Sequence, residues 1–330
     1  MKKKSRNSVK IVALVIVICA VAAAMFGIQK WRDGQEEKKE QESSIEVEDK
    51  LAAIQVNGVT YKQKGDIRCY VLMGIDHADQ QDVMERGNFG QNDLLLAIVV
   101  NDTDKTYQIL QMNRDSMVDV IQIDQQGNEV GSIYEQICLA HSFGDGKQIS
   151  DENVVNTLSR VLWDQPFEGY VALNMDAVNI LADDVGGVPV QVNDDFSEID
   201  PSLVQGTTVT LTSANALTFV RSRWNIADET NMNRQARQQE FMTSFISKAS
   251  SLSDDQLENM YQTIQDYRES DMSNSGVVNL MVKLKKYKEL PVKTIDGTNS
   301  INPDNNTNEY KMNNASLQSV ILELFYNKQD

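Results

Sequence analysis

Short apolar runs bounded by turn residues recur along the chain, and they predict β-strands. Asn57-Gly58 lies between alternating apolar positions in IQVNGVTY, which predicts a hairpin over residues 54–61. The tetrapeptide NDTD at 101–104 predicts a turn between two of the apolar runs. The other predicted strands are Ile67–Met73, Leu94–Val100, Tyr107–Met112, Tyr170–Leu173 and Val188–Val192.

Other segments have apolar positions three or four residues apart, which is the spacing of an amphipathic helix. These helices alternate with the predicted strands, so the fold class is α/β, with a central mixed β-sheet covered by helices on both faces. Gly186-Gly187 predicts a break between a helix and a strand. The predicted helices are Ser132–Phe143, Asp151–Trp163, Ala177–Ala182, Ser213–Phe219, Arg234–Ser250, Asp254–Tyr267, Val277–Tyr287 and Ala315–Phe325.

The N-terminus has the pattern of a membrane anchor. Residues 1–10 are basic and residues 11–28 carry no charge. As a helix, those 18 residues would extend about 27 Å, which is close to the thickness of the hydrocarbon core of a bilayer. The basic flank predicts a cytoplasmic N-terminus and an extracytoplasmic remainder in the cell membrane. Two alternatives remain open, a signal peptide cleaved near Ala20–Ala24 and a lipoprotein modified at Cys19.

Residues 29–53 are rich in charge and lack core-forming periodicity, so they predict a stalk between membrane and domain. From residue 54 to residue 330 no polar break marks a second boundary, and one extracytoplasmic domain is expected. Its two central cysteines, Cys69 and Cys138, lie in apolar segments and are expected to pack as small hydrophobic residues. A disulfide between them is the alternative in an oxidising compartment.

Composition excludes several classes of function. Acidic residues number 48 against 31 basic ones, for a net charge of -17, which argues against a general nucleic-acid binder. Three cysteines exclude a four-cysteine zinc module, and two histidines leave little scope for histidine-rich metal chemistry. His77 and His141 are expected to form local hydrogen bonds.

Arginines cluster within this acidic chain. Arg221 and Arg223 would point to one face if Val220–Trp224 is extended, and Arg234 and Arg237 would share one face of a helix. The planar fork of arginine suits phosphate oxygens. The alternative is a set of surface arginines paired with the abundant carboxylates.

Two aspartates lie at the ends of neighbouring predicted strands. Asp76 follows the strand in VLMGID, and Asp93 precedes the strand in NDLLLAIVV. Two carboxylates together with substrate phosphates are a usual set of ligands for Mg2+, so Asp76 and Asp93 are candidate metal ligands. The alternative is a pair of solvated turn residues. Arg114, in NRDSMVDV, is a further phosphate ligand or an ion-pair partner.

In their order along the chain, these segments resemble the LytR–CpsA–Psr family of extracytoplasmic enzymes over residues 66–250, and more weakly to the end. VLMGID and the ND at 92–93 resemble the family's two metal aspartates and their strands. NRDSMVDV resembles its Arg-Asp segment, and DDVGGVPVQV resembles its strand entry. LTFVRSR and NRQARQQ resemble its paired arginine motifs.

The resemblance implies a phosphotransferase that moves a glycopolymer from a polyprenyl-pyrophosphate carrier to peptidoglycan and leaves a phosphodiester. It implies Mg2+ on Asp76 and Asp93, and catalytic roles for Arg114, Arg221 and Arg223. Alternatives are a lipid-pyrophosphate hydrolase and a weakly catalytic lipid-binding regulator of the envelope. The pyrophosphate ligands implied by the resemblance are Arg114, Arg221, Arg223, Arg234 and Arg237.

The chain departs from the family pattern at three residues, and its loop between Asp76 and Asp93 is longer than is common in the family. Asn92 stands where serine or threonine is usual, and Asn113 replaces a proline. Asn231 replaces an aspartate that would orient the nearby arginines, which favours the regulator more than any other feature.

Overall fold

Each strand that the sequence predicts is present in the structure, and further short strands accompany them. The computed structural model describes residues 52–76, 90–222, 226 and 231–329. The predicted membrane segment, most of the predicted stalk and His77 lie outside those residues. In chain order the strands are β1 (Ala53–Val56), β2 (Val59–Gln63), β3 (Ile67–Asp76), β4 (Gln91–Asn101), β5 (Thr106–Met112), β6 (Met117–Ile123), β7 (Glu129–Gln136), β8 (Gly169–Asn174), β9 (Val188–Gln191), β10 (Thr208–Leu211), β11 (Arg268–Ser270), β12 (Lys288–Glu289), β13 (Gly297–Ile301), β14 (Asn308–Met312) and β15 (Tyr326–Lys328).

Helices lie between many of these strands in the described part of the chain. Side-chain caps begin the helices at Asp254, Asn274 and Asn314, and at the first of these Ser253 and Gln256 form a reciprocal capping box. No helix among the described residues has both the length and the apolar character needed to span a bilayer. In chain order the helices are α1 (Gln148–Val161), α2 (Ala177–Asp184), α3 (Ala216–Arg221), α4 (Asn231–Ala249), α5 (Asp254–Thr263), α6 (Asn274–Lys286) and α7 (Asn314–Phe325), with 3-10 turns at Ile137–Ser142 and Gln265–Tyr267.

In the described part of the chain, six strands form the central sheet in the order β11-β8-β3-β4-β5-β12. β3 is parallel to β8 and antiparallel to β4, and β12 is parallel to β5. The predicted mixed sheet is therefore confirmed. Short hairpins lie outside it, including β1–β2, whose turn at Asn57-Gly58 has positive φ at both residues, as the sequence predicts.

Helices cover both faces of this sheet because its side chains alternate in direction. Tyr70 and Leu72 of β3 pack in a core with α2, α3, α4, α5 and α6. Val71 and Met73 point the other way and pack in a second core with α1 and α7. Cys69 and Cys138 are buried and unpaired, which agrees with their expected packing as hydrophobic residues.

The predicted helix at Ser132–Phe143 is wrong. Its first part is strand β7, which pairs antiparallel with β6, and only Ile137–Ser142 is helical, as a 3-10 turn. The reason is the turn between the two strands, where the Asp124 side chain accepts hydrogen bonds from the backbone of residues 126 and 128. This turn brings β6 alongside, and strand pairing overrides the helical spacing of the apolar residues.

Candidate functional site

A β-bulge sets the direction of Asp93. Asn92 pairs with Ile75 and Leu94 pairs with Gly74, so Asp93 has no partner in β3. Without this extra residue, Asp93 would share the sheet face of Leu95, which packs on the α1 and α7 side. The bulge instead directs its carboxylate towards α4, on the opposite face.

Asp93 lies between two arginines from different elements. Its Oδ1 forms an ion pair with Arg114, which follows β5, and its Oδ2 lies 3.2 Å from Nη1 of Arg234 on α4. The Asp93 side chain is only 2% exposed, and both arginine side chains are largely buried. Burial lowers the local dielectric, so separating these three charges costs free energy unless another anion or cation pairs with the charge that is left.

Arg114 is held from several sides. Its Nη2 donates to Oε1 of Gln91 at 2.6 Å and to Sγ of Cys138 at 3.3 Å. Its Nε lies 3.4 Å from Oδ1 of Asp115. Burial is the main cause that raises the pKa of the Cys138 thiol, so this sulfur is present as a neutral acceptor. These contacts fix the guanidinium at the edge of the sheet before any ligand arrives.

A second ion pair joins Asp76 to Arg221. Asp76 ends β3, and its Oδ1 lies 2.8 Å from Nη2 of Arg221, the last residue of α3. The Arg221 side chain is 49% exposed, so it can turn to a ligand at small cost. The expectation that Val220–Trp224 is extended is wrong for Val220 and Arg221, which are helical. Arg223 lies outside the described residues.

Arg237 pairs with a carboxylate outside the central sheet. It pairs with Asp194, in the loop after β9, and its Nε donates to the carbonyl of Phe219 at 2.9 Å. Although Arg234 and Arg237 are three residues apart on α4, the partners of their side chains differ. The described residues thus bring together Asp93, Arg114 and Arg234, with Asp76 and Arg221 as a neighbouring pair.

Two of the unusual asparagines have local structural roles. In the amide orientation that satisfies both of its ends, Asn92 donates to the carbonyls of Cys138 and Ile137, at 2.9 and 3.2 Å. It is fully buried and so ties β4 to the 3-10 turn. Oδ1 of Asn113 accepts from the backbone N–H of Asp115 at 2.9 Å and closes the turn that presents Arg114. The side chain of Asn231 is not among those described.

An apolar pocket of about 90 Å³ opens beside these charges. It shares its elements with them, because Gly74, Leu94 and Val220 in its wall lie within two residues of Asp76, Asp93 and Arg221. The rest of the wall comes from β8, α2 and α4, including Val178, Gln238, Phe241 and Phe245. A molecule with an anionic group joined to an apolar chain would meet both surfaces at once.

The carboxylates of the sheet are too few to hold a metal ion without other ligands. Among the described residues no group of three or more histidines, cysteines or carboxylates could hold a metal unaided. Mg2+ needs less than that, since it usually binds through one or two carboxylates, water and substrate phosphates. Asp76 and Asp93 are two such carboxylates, and in this structure each is paired with an arginine suited to phosphate.

His141 has the local role that its sequence context predicts. Its Nε2 lies 3.3 Å from Oδ1 of Asp151, and both side chains are almost fully buried. Burial raises the pKa of the Asp151 carboxyl, and the contact with His141 opposes that rise. This pair joins the 3-10 turn to α1.

Sequence reasoning missed three residues that support the site, namely Gln91, Asp194 and Gln238. Gln91 lies two positions before Asp93, just before a predicted strand. The sequence therefore indicates that Gln91 lies near the site. Asp194 is 43 residues from Arg237, and no local signal marks that pair.

Comparison with known proteins shows which family and which relatives this chain is similar to. The chain matches the LytR_cpsA_psr family over residues 26–325. It is 25% identical over 261 residues to the polyisoprenyl-teichoic acid–peptidoglycan teichoic acid transferase TagU of Bacillus licheniformis, with 77% of this chain and 76% of that protein covered. The TagU of Enterococcus faecalis is 25% identical over 271 residues, with 82% and 80% covered.

A solved structure shares the fold. The crystal structure of TagV from Bacillus subtilis superposes with a TM-score of 0.58 at 23% identity, covering 79% of this chain and 96% of that one. The match of the family over most of the chain is what decides its membership. The chain belongs to the LytR_cpsA_psr family.

Proposed function

We propose that this protein transfers a glycopolymer from a polyprenyl-pyrophosphate carrier to peptidoglycan and forms a phosphodiester. The observation that carries the proposal is the apolar pocket whose wall residues Gly74, Leu94 and Val220 lie next to the arginine–aspartate cluster in sequence, because a lipid pyrophosphate has both a charged and an apolar part. Family membership and the similarity to the TagU teichoic acid transferases support the same reaction.

The arginines bind and orient the pyrophosphate. Arg221, half exposed at the end of α3, makes the first contact. Arg114 and Arg234 then replace some of their contacts with the Asp93 carboxylate by contacts with phosphate oxygens. Positively charged donors fixed around a transferring phosphoryl group stabilise the charge that develops in the transition state.

Mg2+ belongs to this proposal as a ligand of Asp76 and Asp93. When bound, it would supply positive charge to the phosphate oxygens and help to orient the leaving group. The charge balance of the site indicates that Mg2+ binds together with the substrate. In the described cluster, Arg114, Arg221 and Arg234 balance Asp76, Asp93 and Asp115, so added diphosphate needs an added cation.

The bond changes follow from the product. A hydroxyl of the acceptor attacks the phosphorus next to the glycan, and the bond from that phosphorus to the bridging oxygen breaks. Polyprenyl phosphate leaves, and the acceptor hydroxyl loses its proton. The protein contributes alignment of the two reactants, which can account for a large part of the rate of such a reaction.

The apolar pocket receives the carrier next to its pyrophosphate. At about 90 Å³ it is smaller than the cavity of about 150 Å³ that holds a benzene ring, so it suits roughly one isoprene unit. The remainder of the lipid would stay in the membrane. This fits the proposal that residues 11–28 anchor the chain in the cell membrane with the domain outside.

The test is a transfer assay with the full-length chain in detergent, Mg2+, peptidoglycan fragments and a polyprenyl-pyrophosphate glycan labelled in its sugar. Labelled peptidoglycan and equal release of lipid phosphate are expected. Arg114→Ala should reduce the rate by at least a hundredfold, whereas Arg160→Ala, which removes a surface partner of Glu129, should not. Lipid phosphate release without labelled acceptor would identify a hydrolase, and binding without release would identify a regulator.

A further inference from the structure

Arg237 holds the end of another helix. All three of its guanidinium nitrogens are engaged, and the side chain is 7% exposed. Nε donates to the carbonyl of Phe219 at 2.9 Å, Nη2 donates to the carbonyl of Ser222, and Nη1 pairs with Asp194. A guanidinium bound in this way is less free to meet a ligand than that of Arg221.

Aromatic packing completes this arrangement. The guanidinium of Arg237 lies over the ring of Phe196, 5.4 Å from its centroid. Phe196 in turn stacks on Phe219, with centroids 5.8 Å apart and planes at 18°. The loop after β9 therefore supplies both a carboxylate and a ring that fix the plane of the arginine.

The acceptors are backbone carbonyls at the C-terminal end of α3. Such carbonyls have no partner inside their own helix, and a helix of six residues is not stable alone. Next to Arg237, the side-chain amide of Gln238 donates to the carbonyl of Val220 at 3.4 Å. Two adjacent residues of α4 thus bind the carbonyls of residues 219, 220 and 222, on either side of Arg221.

We propose that Asp194 and Arg237 form a clamp that fixes the end of α3 and so aims Arg221 at the pyrophosphate. Arg237 is then a positioning residue, and Asp194 orients it. This role of Arg221 rests on the proposed function, whereas the clamp itself does not. Because α4 also carries Arg234, one helix would set the position of two phosphate ligands relative to the sheet.

The clamp is tested by amide hydrogen exchange in the full-length chain. Arg237→Lys keeps the charge and loses the fork, and Asp194→Asn keeps the size and loses the charge. Each should speed exchange in a peptide covering 217–222 at least tenfold and leave α1 unchanged. Asp195→Asn is the matched control, because the exposed Asp195 carboxylate accepts a hydrogen bond from the backbone N–H of Ser197 in its own loop.

The consequence is tested by kinetics in the transfer assay. Arg237→Lys should lower kcat about tenfold or more with little change in KM, because Arg114 and Arg234 still bind the substrate. In an Arg221→Ala background, Arg237→Lys should cost less than threefold further, since its effect passes through Arg221.

Different results separate the two claims. Unchanged exchange at 217–222 in both variants overturns the clamp, whether or not the protein turns over lipid pyrophosphate. A full tenfold loss from Arg237→Lys in the Arg221→Ala background overturns the aiming role and indicates a direct ligand. If the parent shows no transfer, the proposed function fails, and the exchange result still decides the clamp. Should Arg237→Lys fail to fold, Asp194→Asn carries both measurements.

Discussion

Replacing Asp93 by asparagine would remove the negative charge between Arg114 and Arg234 and keep the size of the side chain. Removing one partner of a buried ion pair costs about 3–5 kcal/mol, because the other charge stays buried. Arg114 keeps Asp115 and Gln91 as partners. The free energy of unfolding should therefore fall by about 3 kcal/mol, the lower end of that range.

That loss is large enough to measure by thermal unfolding. For domains somewhat smaller than this one, a change of 1 kcal/mol moves Tm by about 2–4 °C, so Asp93→Asn should lower Tm by roughly 6–12 °C. Circular dichroism of the full-length chain gives this value. Glu129→Gln is the control, because its partner Arg160 is exposed and such a pair contributes at most about 1 kcal/mol.

The same variant should respond differently to an anion. In the absence of Mg2+, geranyl pyrophosphate should raise the Tm of Asp93→Asn more than that of the parent, because diphosphate replaces the missing charge beside Arg114 and Arg234. Turnover should nevertheless fall by orders of magnitude, since one proposed metal ligand is gone. A Tm shift no larger than that of Glu129→Gln, or equal responses to the anion, would refute the reasoning.

Two further predictions concern the apolar pocket and acid stability. Val178→Phe should fill the pocket and weaken binding of geranyl pyrophosphate about tenfold, with inorganic pyrophosphate unaffected; equal effects on both, measured by calorimetry, would contradict the assignment. Burial of Asp102 opposes ionisation, but hydrogen bonds from Tyr287 and Lys283 outweigh it and lower the carboxyl pKa. Its stabilising contribution is therefore present above the unfolded pKa of about 3.9 and is lost as pH falls below it. The free energy of unfolding, measured with urea, should differ less between pH 6 and pH 3 in Asp102→Asn than in the parent. An equal difference in both proteins would argue against this contribution of Asp102.

Much of the sheet can be predicted from sequence because its signals are local. β3, β4 and β5 are apolar runs with turn residues at their ends, and the Asn57-Gly58 turn has a backbone requirement that its residues reveal. The error at Ser132–Phe143 has the opposite origin. The same apolar residues suit a helix, and only the antiparallel partner β6 makes the first part a strand.

The candidate site could be predicted as a set of residues but not as an arrangement. The arginines and aspartates indicate phosphate and metal binding from their residue types alone. The direction of the Asp93 side chain, however, depends on a one-residue bulge in the pairing of β3 with β4. The separate partners of Arg234 and Arg237 depend on where the loop after β9 lies. Neither feature is encoded within a short window of sequence.

The most direct test of the central claim is the chemical form of phosphorus after the reaction. The full-length chain is incubated with Mg2+, peptidoglycan fragments and a polyprenyl-pyrophosphate glycan that carries radioactive phosphorus next to the sugar. Phosphatase treatment, followed by chromatography with detection of the radioactive phosphorus, then characterises the product. We expect the label to join glycan to peptidoglycan as a phosphatase-resistant diester. A label recovered as glycan phosphate monoester, or left in the intact lipid, would contradict this expectation.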